Sequence, residues 1–157
     1  AGNHNHLKFL IIENADTIKR ISELAEQTWI TESKVLIIVC SDDKVLEDLY
    51  GERGRIYSRQ QAGAAIENFL LKITDLGLAA CWVGSYSDEK VRDLLKIPKN
   101  IQIEAIIPIG YESPALKAKP RKKELENAIY WEEWNKTKRP TPFPEPSIRP
   151  QTGHFRE

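Results

Sequence analysis

Apolar residues follow two rhythms along this chain, and the changes between them mark its elements. LKFLIIE at 7–13 and VLIIVCS at 35–41 are short runs rich in β-branched residues and of strand length. Between them Asn14 or Asp16 offers a helix cap, and Ile18, Ile21, Leu24 and Ala25 recur at helical spacing up to about Gln27. Asp42 and Asp43 open a shorter helix with Val45, Leu46 and Leu49. YGERGRIYSR, at 50–59, is polar and dotted with glycine, which predicts a loop. A long helix follows over Gln61–Leu76, where Ala62, Ala65, Ile66, Phe69, Leu70, Ile73 and Leu76 form a wide apolar stripe. Ala64 and Ala65 permit close approach of a second helix, and Gly77 stands where a left-handed cap residue belongs. LAACWVGS then reads as a short strand stopped by Gly84 and Ser85, with Ser87, Asp88 and Glu89 starting another helix. Ile97-Pro98 breaks that helix, and IQIEAIIPIGY, closed by Gly110, has the near-continuous apolar character of a strand buried on both faces.

A chain of 157 residues is sized for one main domain. RPTPFPEPSIRP holds five prolines in twelve residues, so the pattern predicts a core over 1–138 and an extended, proline-rich tail over 139–157. Basic and acidic side chains number 23 each. That balance leaves no net field to gather nucleic acid or a membrane surface, and it points to a small-molecule partner. Cys40 and Cys81 both lie in apolar runs, the pattern of reduced, buried thiols in a reducing, cytoplasmic compartment. No apolar run approaches the ~18 residues of a membrane-spanning helix, and none reads as a secretory leader. Gly-x-Ser-x-Gly, Cys-x-x-Cys and a metal-spaced triad do not occur. His4 and His6 share one face of an extended segment, but two histidines without a third ligand do not predict a zinc site.

Read in order, ENFLLKITDLGLAACWVG, VRDLLKIP and EAIIPIGY resemble the flavin-dependent nitroreductase family. Gly2-Asn3 followed by LKFLII is similar to that family's asparagine-bearing loop and the strand after it. SKVLIIVCSD at 33–42 is similar to its next buried strand, and Lys119-Pro120-Arg121 to its basic Lys-x-Arg before the last helix. The resemblance implies an α+β fold with a mixed, mainly antiparallel sheet flanked by helices, and a homodimer formed through the long helix. It also implies FMN as cofactor, NADH or NADPH as electron donor, and a ping-pong transfer to a nitroaromatic, a quinone or another electron-poor small molecule. The flavin would carry the chemistry, so no catalytic side chain is required. The chain holds no methionine and starts at Ala1 within what looks like a family motif. The family's Arg-Ser-x-Arg-like element, which helps hold the flavin phosphate, has no counterpart here. The resemblance thus implies either a segment before Ala1 or a site with fewer phosphate contacts.

By the same resemblance, backbone N–H groups around Val83, Gly84 and Ser85 lie near flavin N5, with Trp82 packed under the ring. Without it, Gly84 simply ends a strand and Trp82 is core. Lys119 and Arg121 would anchor the phosphate; KAKPRKK gathers five positive charges, which is equally the mark of a solvated basic loop. Asn3 would meet the polar edge of the ring, across the subunit interface where one subunit's loop completes the other's site, or else serves as a turn residue. Asn68 is expected to satisfy buried backbone or interface polar groups rather than to touch substrate. Arg53, Arg55, Tyr57 and Arg59 fall in the expected loop, facing solvent or the substrate opening. Tyr130, Trp131 and Trp134 have helical spacing and read as packing or dimer contacts. Two other functions stay open: a dimeric flavin-binding protein without turnover, and a relative with different reductive chemistry, such as dehalogenation or flavin fragmentation.

Overall fold

The computed structural model describes residues 1–113, 122 and 124–138. The chain divides into two units, Ala1–Pro114 and Ala115–Glu157. In the first unit the elements run β1 (Leu7–Ile12), α1 (Ala15–Leu24), β2 (Val35–Asp42), α2 (Asp43–Tyr50), α3 (Glu52–Asp75), β3 (Ala79–Ala80), α4 (Asp88–Leu95) and β4 (Ile101–Gly110), with a 3-10 turn at Thr28–Glu32. The sheet order is β1-β2-β4-β3, and every described pair is antiparallel. This is the α+β architecture expected, with no parallel pair among the described residues.

The two central strands are covered on both sides, which is why their sequences lose polar alternation. Leu36, Ile38 and Cys40 of β2 and Ile103 and Ile106 of β4 join Ile18 and Ile21 of α1 and Val91 of α4 in one core. Val39, Ala105 and Ile107 join Ile66 and Ile73 of α3 in the other. One irregularity interrupts the ladder: Val39 faces Ala105 but Cys40 faces Ile103, so Glu104 is the extra residue of a bulge. The bulge turns Glu104 toward α3, where it pairs with Arg59.

Helix ends follow local chemistry. The Asn14 side chain caps α1 by accepting from the Thr17 N–H at 2.9 Å. At the end of α3, Gly77 adopts φ 73°, its N–H donates to the Thr74 carbonyl at 2.9 Å, and the Leu78 N–H donates to the Ile73 carbonyl at 3.1 Å. That double bond pattern closes the helix with glycine in the left-handed position, as expected.

Several expectations are corrected. Residues 52–59 are not a loop but the first turns of α3, a helix of 24 residues that follows α2 across the single corner residue Gly51. Gly54 is there because a Cβ would collide with the Leu46 carbonyl: the two helices touch backbone to backbone. Helix α1 stops at Leu24 instead of Gln27. Of the three apolar residues noted in α2, Leu46 is buried, while Val45 and Leu49 are exposed. Asn68 is exposed on α3, so of the buried backbone and interface roles expected for it the buried one is not realised. Cys40 is buried but Cys81 is exposed, because β3 spans only two residues at the sheet's edge. In the second unit Tyr130 and Trp134 do stack, with centroids 4.7 Å apart, yet not on a helix: the chain there is irregular, and Glu132 has φ 63°.

Two predictions follow from this packing. Gly54→Ala forces apart two backbones in contact and should destabilise the fold by roughly 1–3 kcal/mol, read as a lower urea midpoint. Gly63→Ala should leave the midpoint unchanged or raise it. Its Cβ would stand 3.9 Å from the Trp82 ring, an ordinary contact, and alanine favours a helix by up to ~1 kcal/mol over glycine.

The second concerns Cys40. Burial pushes its thiol up from 9.0 to about 11, partly offset by the charge of Arg92. The folded chain therefore holds that proton where the unfolded chain releases it, so stability falls as pH rises from about 9 to about 11. Tyr86, raised mainly by burial, extends the same loss to higher pH. The urea midpoint should drop across this range, and a thiol reagent at neutral pH should label Cys81 in the native protein and Cys40 only after unfolding.

Candidate functional site

The segment after β3 is anchored at both ends and bare in the middle. Val83 is buried, and both its backbone groups are engaged with Ile106: its N–H donates at 3.0 Å, and its carbonyl accepts at 3.1 Å. Further along, the Ser87 N–H donates to the Leu24 carbonyl at 3.1 Å, tying the chain to α1. Between these anchors Gly84 and Ser85 are exposed, and the space beside Gly84 is open, with nothing within 4 Å of where a Cβ would stand. The Ser85 carbonyl accepts from Gln27 Nε2 at 3.3 Å. The N–H groups of Gly84 and Ser85 donate to no other group among the described residues. Of the three backbone donors expected here, two are therefore available, and the Val83 N–H is not. Trp82 is not core: it is 43% exposed, with its ring edge against Gly63 of α3. A ledge of free donors beside an exposed aromatic face suits a flat heteroaromatic ring that carries acceptors and gains negative charge.

Asn3 lies in a tight turn. Gly2 (φ 54°) and Asn3 (φ 58°) form a left-handed pair, closed by the His4 N–H donating to the Ala1 carbonyl at 3.0 Å. Asparagine tolerates that conformation, so the turn role is realised, and the side chain is left exposed. A Cβ on Gly2 would collide with the Tyr50 hydroxyl at the end of α2. Gln61 of α3 grips the turn: its Nε2 donates to the His4 carbonyl at 2.9 Å. The turn and Trp82 thus meet α3 at the same level, at Gln61 and Gly63, but on different sides of the helix.

Under the turn sits a polar cluster that the sequence reading did not assemble. Ser58 Oγ donates to Asp43 Oδ1 at 2.7 Å, so toward His6 Nε2, 2.9 Å away, it must accept. This assigns the ring proton to Nε2 and leaves His6 Nδ1 buried without a partner. Arg59 donates to Ser41 Oγ at 3.0 Å and pairs with both Asp43 and Glu104, whose side chains are 18% and 8% exposed. Arg53 and Arg55 are exposed on α3, Arg55 paired with Glu47, and Tyr57 meets Tyr50 edge-on at 5.3 Å. No group of three or more His, Cys, Asp or Glu among the described residues is arranged to hold a metal. Lys119 and Arg121 lie outside the described residues. No described helix is long and apolar enough to cross a membrane.

Residues 1–111 match the sequence pattern of the nitroreductase family. A protein of Archaeoglobus fulgidus, provisionally named an NADH dehydrogenase/NAD(P)H nitroreductase, is 30% identical over 116 residues, 71% of this chain; the chain spans 64% of that relative's length. A crystal structure from Bacteroides thetaiotaomicron with the same provisional name is 26% identical and covers 87% of this chain and 76% of its own, with a TM-score of 0.68. The NADPH:FMN oxidoreductase of Vibrio harveyi, complexed with NAD+, superposes with a TM-score of 0.73 over 87% of this chain and 63% of its own, at 14% identity, a likeness of fold alone. On the match over residues 1–111, which contains the ledge, the turn and every strand of the sheet, the chain belongs to the nitroreductase family.

Proposed function

We propose that this protein is an FMN-dependent oxidoreductase that takes electrons from NADH or NADPH and passes them to an electron-poor small molecule, a nitroaromatic or quinone being the class that fits. The observation that carries this reading is the Gly84–Ser85 ledge, open and with unengaged N–H groups, inside the span matched to the family. FMN, when bound, supplies reversible hydride acceptance at N5. The Gly84 and Ser85 N–H groups would donate to the ring and favour its electron-rich state, and the bonds of Val83 to Ile106 tie their backbone to β4. Trp82 borders the ring and Asn3 offers an amide to its polar edge. Lys119 and Arg121, which lie outside the described residues, would offer charge-assisted bonds to its phosphate. Donor and acceptor use the same exposed face in turn, a ping-pong order. Phe9 and Ile11 on β1 and Ile56 and Leu71 on α3 are exposed apolar side chains that a homodimer could bury; in such a dimer Asn3 of one subunit would serve the ring of the other.

The purified protein should be yellow or take up FMN, release FMN on denaturation, and bleach on anaerobic addition of NADH or NADPH. A protein that stays colourless with excess FMN overturns the reading, and bound FMN that no nucleotide bleaches reduces it to flavin binding alone. Gly84→Val adds bulk where the fold has room, so the urea midpoint should hold while FMN affinity falls by roughly tenfold or more.

A further inference from the structure

We infer that Gln61 is a positioning residue for the Asn3 amide: it fixes the N-terminal turn that presents it. This rests on the flavin reading above. The turn has little to hold it on its own. Within it a single backbone bond joins His4 to Ala1. Gln61 supplies a further restraint: its Nε2 donates to the carbonyl of His4, the residue that closes the turn, at 2.9 Å.

The seat around the turn is matched to it. The Tyr50 hydroxyl stands where a Cβ on Gly2 would be, so a side chain there would have to displace it. One turn of α3 before Gln61, buried Ser58 bonds His6 at 2.9 Å. Residues 58 and 61 share a helix face, and they meet residues 6 and 4 of the segment. Ser58 is itself locked to Asp43, so Gln61 projects from a fixed stretch of helix. The Asn3 side chain is exposed, and its direction is set by the backbone that Gln61 holds.

The test is a double-mutant cycle read by FMN titration and by amide exchange, using Gln61→Ala, Asn3→Ala and the pair. Gln61→Ala should weaken FMN binding by roughly tenfold and speed exchange of the His4 amide by a similar factor, with the urea midpoint close to wild type. In the Asn3→Ala background the Gln61 change should add nothing to the loss of affinity, because it acts through Asn3. Gln61→Glu keeps the length and the acceptor but loses the donor to His4, and should match Gln61→Ala if alanine disturbs folding. Full FMN affinity in Gln61→Ala, or losses that multiply in the double variant, overturns the inference while leaving the flavin reading in place. A wild-type protein that binds no FMN removes the flavin reading and, with it, the role assigned to Asn3. Unchanged His4 exchange in Gln61→Ala overturns the clamp by itself.

Discussion

One guanidinium holds this unit together. Arg59 projects from α3 into a space bounded by Ser41 of β2, Asp43 at the start of α2 and Glu104 of β4, and it pairs with both carboxylates. Each carboxylate is largely removed from water, so neither tolerates loss of its cation. The arrangement exists only if α3 crosses the sheet at one place and one rotation. Its contribution is therefore better described as specification than as stability, since an apolar substitute of equal volume could stabilise as well without fixing the register. Once Arg59 is placed, the rest of α3 is placed: Ser58 under the N-terminal segment, Gln61 beside the turn, Gly63 against Trp82, and Ile66 and Ile73 on the sheet.

The half of α3 that the sequence revealed and the half that it hid differ in what they bury. From Ala62 onward the inward residues are Ala62, Ile66 and Ile73, and apolar periodicity shows them. Before that point the inward residues on the same stripe are Gly54 and Ser58. One is a backbone contact, the other a hydrogen-bonding group, and neither registers as hydrophobic. Two glycines close together then read as a loop, although Gly51 makes a corner and Gly54 makes a helix crossing. Helix ends show the same divide. Gly77 announced its left-handed cap, whereas Glu26 (φ 54°) and Lys96 (φ 55°) adopt the same conformation at the ends of α1 and α4 with nothing in their identity to announce it.

The candidate site was legible where it is local and illegible where it depends on register. Gly84 and Ser85 stood out as a strand end of small residues, and they are the open ledge. That the Val83 N–H is already engaged follows only from its bridge to Ile106, 23 residues along the chain. The cluster under the turn draws on His6, Ser41, Asp43, Ser58, Arg59 and Glu104, spread over most of the unit. It converges because a one-residue slip between β2 and β4 turns Glu104 to the α3 side. No periodicity encodes a bulge. Cys81 misled for a related reason: its apolar neighbours imply burial, but β3 ends after Ala80, and the next residue is left at the edge.

Unengaged backbone donors normally soften a structure, because water or an alternative fold can satisfy them. Here the softness is removed from outside the ledge. Val83 is bonded in both directions to the central strand, Ser87 is bonded to α1, and Gln27 holds the Ser85 carbonyl. The two free N–H groups between these anchors keep their orientation whether or not anything binds. Donors fixed before a ligand arrives need no reorganisation as charge builds on it, which is the condition under which hydrogen bonds favour an electron-rich state most strongly. The N-terminal turn reaches the same condition by another route: its anchors are side chains of α3 and α2, not strand partners. Both segments therefore take their rigidity from helices and strands whose relative positions Arg59 and the Glu104 bulge determine. A change at Arg59 or Glu104 should be felt at the exposed surface before it is felt in the apolar cores.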